Sequence, residues 1–93
     1  MMPRLYVICG YQVSIWSNEN GEPIHVHISK KRPTAHSPKM WITSNGTFMP
    51  TEDCRKRVPT AVLNRIISEL TPNIPDIIIF WKGYHGYIRY IDK

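Results

Sequence analysis

The segment "EPIHVHISKKR" (Glu22 to Arg32) sets two histidines one residue apart and follows them with three cations. Histidines at i and i+2 of a strand project to the same face, because strand side chains alternate with a period of two. Three uses fit such a pair. His25 and His27 could share one divalent metal ion, with Glu22, His36 or His85 as third ligand and the fourth position left to water. The set His25, His27 and His85 is the candidate metal site. Without a metal, two imidazoles titrating near neutrality could move protons during RNA cleavage through the 2′-hydroxyl, while Lys30, Lys31 or Arg32 stabilises the developing charge. In that ribonuclease or hydrolase reading, His25 and His27 are the catalytic residues. In the third reading both are structural: next to Pro23, which fixes how the chain enters the strand, they hydrogen-bond the turn and cover a sheet face.

The cations form a second candidate site. Lys30, Lys31 and Arg32 follow the histidine strand, and Arg55, Lys56 and Arg57 precede a helix. Short charge runs are ordinary solvated loops unless the fold joins them, and joined they would follow a phosphate backbone. Trp16, Trp41 and Tyr84 could then stack on unpaired bases. Trp16 stands out, since strand parity places it opposite the aliphatic face. The net charge of +5 favours polyanionic partners, mildly. There is no glycine-rich phosphate loop, "GYHG" being too short and too aromatic, and no serine nucleophile elbow. Cys9 and Cys54 make neither a zinc pattern nor a disulfide framework, so reduced thiols in a cytoplasmic protein are expected. The start "MMPRLYVICG" is too short in apolar residues for a secretory signal, and no segment has the length of a membrane span.

Positioning these residues is the work of one small domain spanning residues 1–93. "RLYVICG", with Cys9 inside the strand, and "YQVSIWS" read as the first two strands. "NENGEP" is a dense turn signal, and "IHVHI" alternates cleanly. Ile24, Val26 and Ile28 face the core, which leaves His25 and His27 on the more accessible face. "KMWIT" and "TFM" flank Ser44-Asn45-Gly46, the strongest hairpin signal in the chain. Residues 50–57 are polar and read as a crossing to the helices. "VPTAVLNRIISEL" has helical spacing, with Pro59 suited to its first turn. From Thr71 onward a second helix, capped by Thr71 with Pro72 at its first position, competes with a hairpin over "IIIFWKGYHGYIRYI"; the helix is preferred, with "YIRYI" as a last strand. The fold class is α+β: an antiparallel sheet of four to six strands covered on one face by two C-terminal helices. A chain this short gains from pairing, so a homodimer or a small heterocomplex is expected.

The segment Glu22-Pro23-Ile24-His25-Val26-His27 resembles the Glu-Pro-x-His-Val-His mark of a small bacterial family, domain of unknown function 4160. "SNENG" ahead of it, "KMWI" (Lys39 to Ile42) and "FWKGYHG" are similar to other parts of that family's pattern, and the last favours helix over hairpin. Residues 30–37 and 45–58 depart from it. The resemblance implies a fold, and an association with a second small protein in pairs that look like toxin–antitoxin modules. The combined expectation is a small bacterial or phage-borne binding protein that contacts nucleic acid, RNA before DNA, or a small partner protein, or both. The ribonuclease or hydrolase is the first alternative, and a protein–protein inhibitor or adaptor the second.

Overall fold

The structure, a computed structural model, describes residues 4–15, 21–34 and 36–93. Trp16 and the Asn18–Asn20 half of the expected turn lie outside the described residues. Among the described residues five antiparallel strands follow one another across a single sheet, each pairing with the next: β1 (Arg4–Ile8), β2 (Tyr11–Ser14), β3 (His25–Ser29), β4 (Lys39–Ile42) and β5 (Phe48–Pro50). Among the described residues three helices follow: α1 (Glu52–Arg57), α2 (Thr60–Leu70) and α3 (Ile74–His85), with a 3₁₀ turn at Thr71–Asn73 between the last two. The fold is α+β, as the sequence pattern requires.

Register turns the alternation of each strand into one apolar surface. Tyr6 lies opposite Val13 and Val13 opposite Ile28, while Val26 pairs with Met40 and Met40 with Pro50. The side chains on that face join Leu63, Ile66 and Leu70 of α2 and Ile74 and Ile77 of α3 in one buried cluster. Each fully buried aliphatic side chain of this kind stabilises the fold by about 1.5–3 kcal/mol. Polar Asn64, Arg65, Ser68 and Glu69 take the opposite side of α2, exposed.

Several local features differ from expectation. Cys9 is not in the first strand: with Gly10 it forms the turn between β1 and β2, both residues at positive φ (53° and 77°). Two such residues match the right-handed twist of the flanking strands, and that demand overrides the strand propensity of the surrounding apolar run. Residues 52–57 form a helix rather than an irregular crossing. Thr51 caps it by accepting from the Cys54 N–H at 3.1 Å, Glu52 and Asp53 occupy its positive end, and Arg55, Lys56 and Arg57 its negative end. Pro59 holds the N-cap position of α2 instead of its first turn. Thr71 does not cap α3; its hydroxyl donates back to the Ile67 carbonyl at 2.6 Å, and α3 starts after Asn73 with Pro75 and Asp76 in its first turn. The helix continues to His85, where Gly86 turns it off at φ 74°.

The sixth strand expected over "YIRYI" does not form: residues 87–90 are irregular. The terminal segment is held instead against the chain just before β3. There the Ile24 N–H donates to the Arg89 carbonyl at 2.8 Å, the Tyr87 hydroxyl donates to the Glu22 carbonyl at 2.8 Å, and the Arg89 guanidinium reaches the Gly21 carbonyl. Among the described residues no helix is long and apolar enough to cross a membrane.

Candidate functional site

His25 and His27 project from the sheet face opposite the aliphatic side chains, as parity requires, but neither is accessible: both are 0% exposed. Parity fixes direction and says nothing of depth. Trp41, opposite His25 on β4, sets its ring 5.3 Å from the His25 imidazole, and Trp81 of α3 comes to 5.2 Å. The two imidazoles meet edge-on at 5.1 Å. On the same face, Ser14 and Lys39 flank His27 in the register, and Lys39 lies over the Trp41 ring while pairing with Glu22 at 3.0 Å.

Each histidine holds a piece of backbone. His25 Nδ1 lies 2.8 Å from the Pro23 carbonyl oxygen, and His27 Nδ1 lies 3.0 Å from that of Ser37. A carbonyl oxygen only accepts, so Nδ1 is the protonated nitrogen in both rings. His25 braces the chain just before β3. His27 braces the loop between β3 and β4, ten residues further along the sequence.

His85, the third residue of the candidate metal set, ends α3 half-buried with its ring 3.9 Å from Trp81. Trp81 touches both His25 and His85, and an indole offers a cation no lone pair. Among the described residues, no three His, Cys, Asp or Glu side chains gather as a metal-binding group. His36 is exposed on the β3–β4 loop, and Glu22 is engaged by Lys39.

The loop that His27 braces forms one wall of a cleft of about 300 Å³. Lys30, Lys31 and Arg32 line it from the end of β3, Thr34 and Ser37 from the loop, Tyr11 from β2, and Arg57 from the last turn of α1. The fold thus joins one basic triplet to one member of the other. Arg55 and Lys56 are exposed on α1 without lining the cleft, and Lys56 pairs with Glu52 at 3.4 Å. Arg57 is held by Asp53 at 3.2 Å and donates to the His36 carbonyl at 2.8 Å, which ties α1 to the loop. The Lys30 ammonium lies 5.5 Å above the Tyr11 ring. Within the loop, Ser37 Oγ accepts from the Thr34 N–H at 2.9 Å and the Ser37 N–H donates to the Thr34 carbonyl at 3.0 Å. Among the described residues no carboxylate lines this cleft, and neither His25 nor His27 does. Trp41 and Tyr84, named as stacking surfaces, also lie outside it.

Tyr11, Thr34 and Ser37 escaped the sequence reading. Tyr11 reads as one of three alternating core residues, and nothing local marks the loop residues as walls. The α1 helix that brings in Arg57 was signalled: Thr-Glu-Asp followed by Arg-Lys-Arg is a capped, dipole-matched helix in miniature. No protein-family model matches this chain, and no curated protein or solved structure does either.

Proposed function

We propose that this chain is a small binding protein that holds a single-stranded segment of RNA in the cleft between the β3–β4 loop and α1. The observation that carries the reading is the convergence of Lys30, Lys31, Arg32 and Arg57 on one cavity with no carboxylate among its described lining residues. Cations so placed neutralise phosphates and release their counterions, which is the main source of affinity for nucleic acid. A cleft of about 300 Å³ suits a flexible strand better than a stiff duplex. Ser29, Thr34 and Ser37 bring hydroxyl groups to the same place, and the 2′-hydroxyl is what separates RNA from DNA at a binding site.

The test is fluorescence anisotropy of a short labelled oligouridine, with oligodeoxythymidine and an RNA duplex as comparators, over a range of salt. With Arg57 already paired to Asp53, three phosphates neutralised by Lys30, Lys31 and Arg32 on a single strand give a slope of log K against log[salt] of about −2.1, and Lys31→Ala lowers its magnitude by about 0.7. Arg55→Ala, outside the cleft, leaves both affinity and slope close to wild type. Equal losses from Arg55→Ala and Lys31→Ala, or no binding at low salt, would refute the assignment.

A further inference from the structure

The two carboxylates in the first turn of α1 stand side by side in sequence and differ in what they reach. Glu52 pairs with Lys56 at 3.4 Å and Asp53 with Arg57 at 3.2 Å, each with the cation four residues on. Lys56 lies outside the basic cleft, whereas Arg57 lines it. Asp53 itself does not line the cleft, so it acts there through its partner.

Arg57 donates twice from one nitrogen. Its Nη1 serves the Asp53 carboxylate at 3.2 Å and the His36 carbonyl oxygen at 2.8 Å, which uses both hydrogens of that nitrogen. The Nε–Nη2 edge of the guanidinium is left over, and such an edge meets a phosphate through two parallel hydrogen bonds. The charge is a separate matter. Asp53 already balances it, and among the described residues no carboxylate pairs with Lys30, Lys31 or Arg32.

We infer that Asp53 sets how many phosphates the cleft neutralises. On the reading that the cleft holds RNA, Lys30, Lys31 and Arg32 neutralise three, while Arg57 donates hydrogen bonds to the strand and keeps its charge on Asp53. Four unpaired cations in one cavity would grip any polyanion. Pairing the fourth tempers that grip and holds Arg57 in place between α1 and the β3–β4 loop. Asp53 is a positioning residue that also limits affinity.

Anisotropy of the labelled oligouridine against salt tests this on wild type, Asp53→Asn and Glu52→Gln. Both substitutions delete one carboxylate from the positive end of α1, so both lower its stability alike, and thermal unfolding checks that. Their effects on binding differ. Asp53→Asn keeps an oxygen for Arg57 to donate to and releases the charge, so the slope moves from about −2.1 to about −2.8 and affinity near 0.1 M salt rises about fivefold. Glu52→Gln stays at the wild-type slope, and Asp53→Asn loses its effect in an Arg57→Gln background. A wild-type slope already near −2.8 overturns the inference, as do equal shifts in the two variants or an Asp53→Asn effect that survives without Arg57. Those results leave the cleft assignment standing, since RNA still binds in each. Oligouridine that binds no variant at low salt overturns both.

Discussion

Replacing His27 separates a bracing role from a chemical one. The side chain is fully buried and donates from Nδ1 to the Ser37 carbonyl at 3.0 Å. His27→Ala leaves that carbonyl without its partner, which costs about 1–3 kcal/mol, and opens a cavity where the ring packed against His25. Together these destabilise the fold by about 2–4 kcal/mol, a fall in Tm of about 10–25 °C for a domain of this size. His27→Asn places an amide nitrogen close to where Nδ1 stood, so it should recover a measurable part of the loss. Thermal and urea unfolding of the three proteins give the comparison, and RNA affinity follows the stability of the loop. A His27→Ala protein within about 0.5 kcal/mol of wild type, or an asparagine variant no better than alanine, would refute the bracing argument.

Thr51→Ala removes the cap of α1 and costs about 1 kcal/mol; because α1 carries Arg57 into the cleft, RNA affinity should drop alongside the unfolding midpoint. Burial pushes the Cys54 thiol up to about 11, whereas Cys9 is exposed on its turn. A thiol reagent at pH 8 should therefore label Cys9 quickly and Cys54 only after denaturation, and two fast thiols in native protein would contradict the burial. The Asp92 carboxylate accepts from the Ser44 N–H at 3.0 Å, which holds its pKa below the usual value. Its contribution is present above the unfolded pKa and fades as pH falls through the lowered folded one. Asp92→Asn should flatten that acid limb of the stability curve, and an unchanged limb would show that the contact is not made in solution.

The strands were legible because the burial of one sheet face writes itself into alternate residues. Val13, Val26 and Ile28 announce that face, and Asn45-Gly46 announces the β4–β5 turn, with Gly46 at φ 76°. The depth of His25 and His27 was not legible, since it depends on Trp41 and Trp81, sixteen and fifty-six residues from His25 along the chain. The cleft was half legible. Both basic triplets are visible as local runs, but the polar composition of residues 50–57 reads as a crossing and hides the helix that selects Arg57 and turns Arg55 and Lys56 away from the cleft. The last strand was not legible because "YIRYI" has strand composition, which says nothing of where its backbone groups find partners; in the fold the Arg89 carbonyl meets the Ile24 N–H just before β3.

The histidine motif and the basic run look like one site in the sequence and act at two depths in the fold. A proton-transfer role needs His27 to reach a phosphodiester, yet the ring is fully buried, Nδ1 is committed to Ser37, and the cleft is lined without it. What joins the two is Ser37 itself, whose carbonyl accepts the hydrogen bond from His27 Nδ1 while its hydroxyl and N–H close the loop onto Thr34 at the cleft wall. The histidine is thus a positioning residue for a surface made of other side chains. That view gives the adjacency of the motifs a physical reason: a cationic loop repels itself and opens readily in water, and a buried donor on the preceding strand fixes its return to β4. Substituting the cations should weaken RNA binding and spare stability, whereas substituting His27 should lower both. A His27 variant that kept full stability and lost all binding would point instead to direct chemistry at the ring.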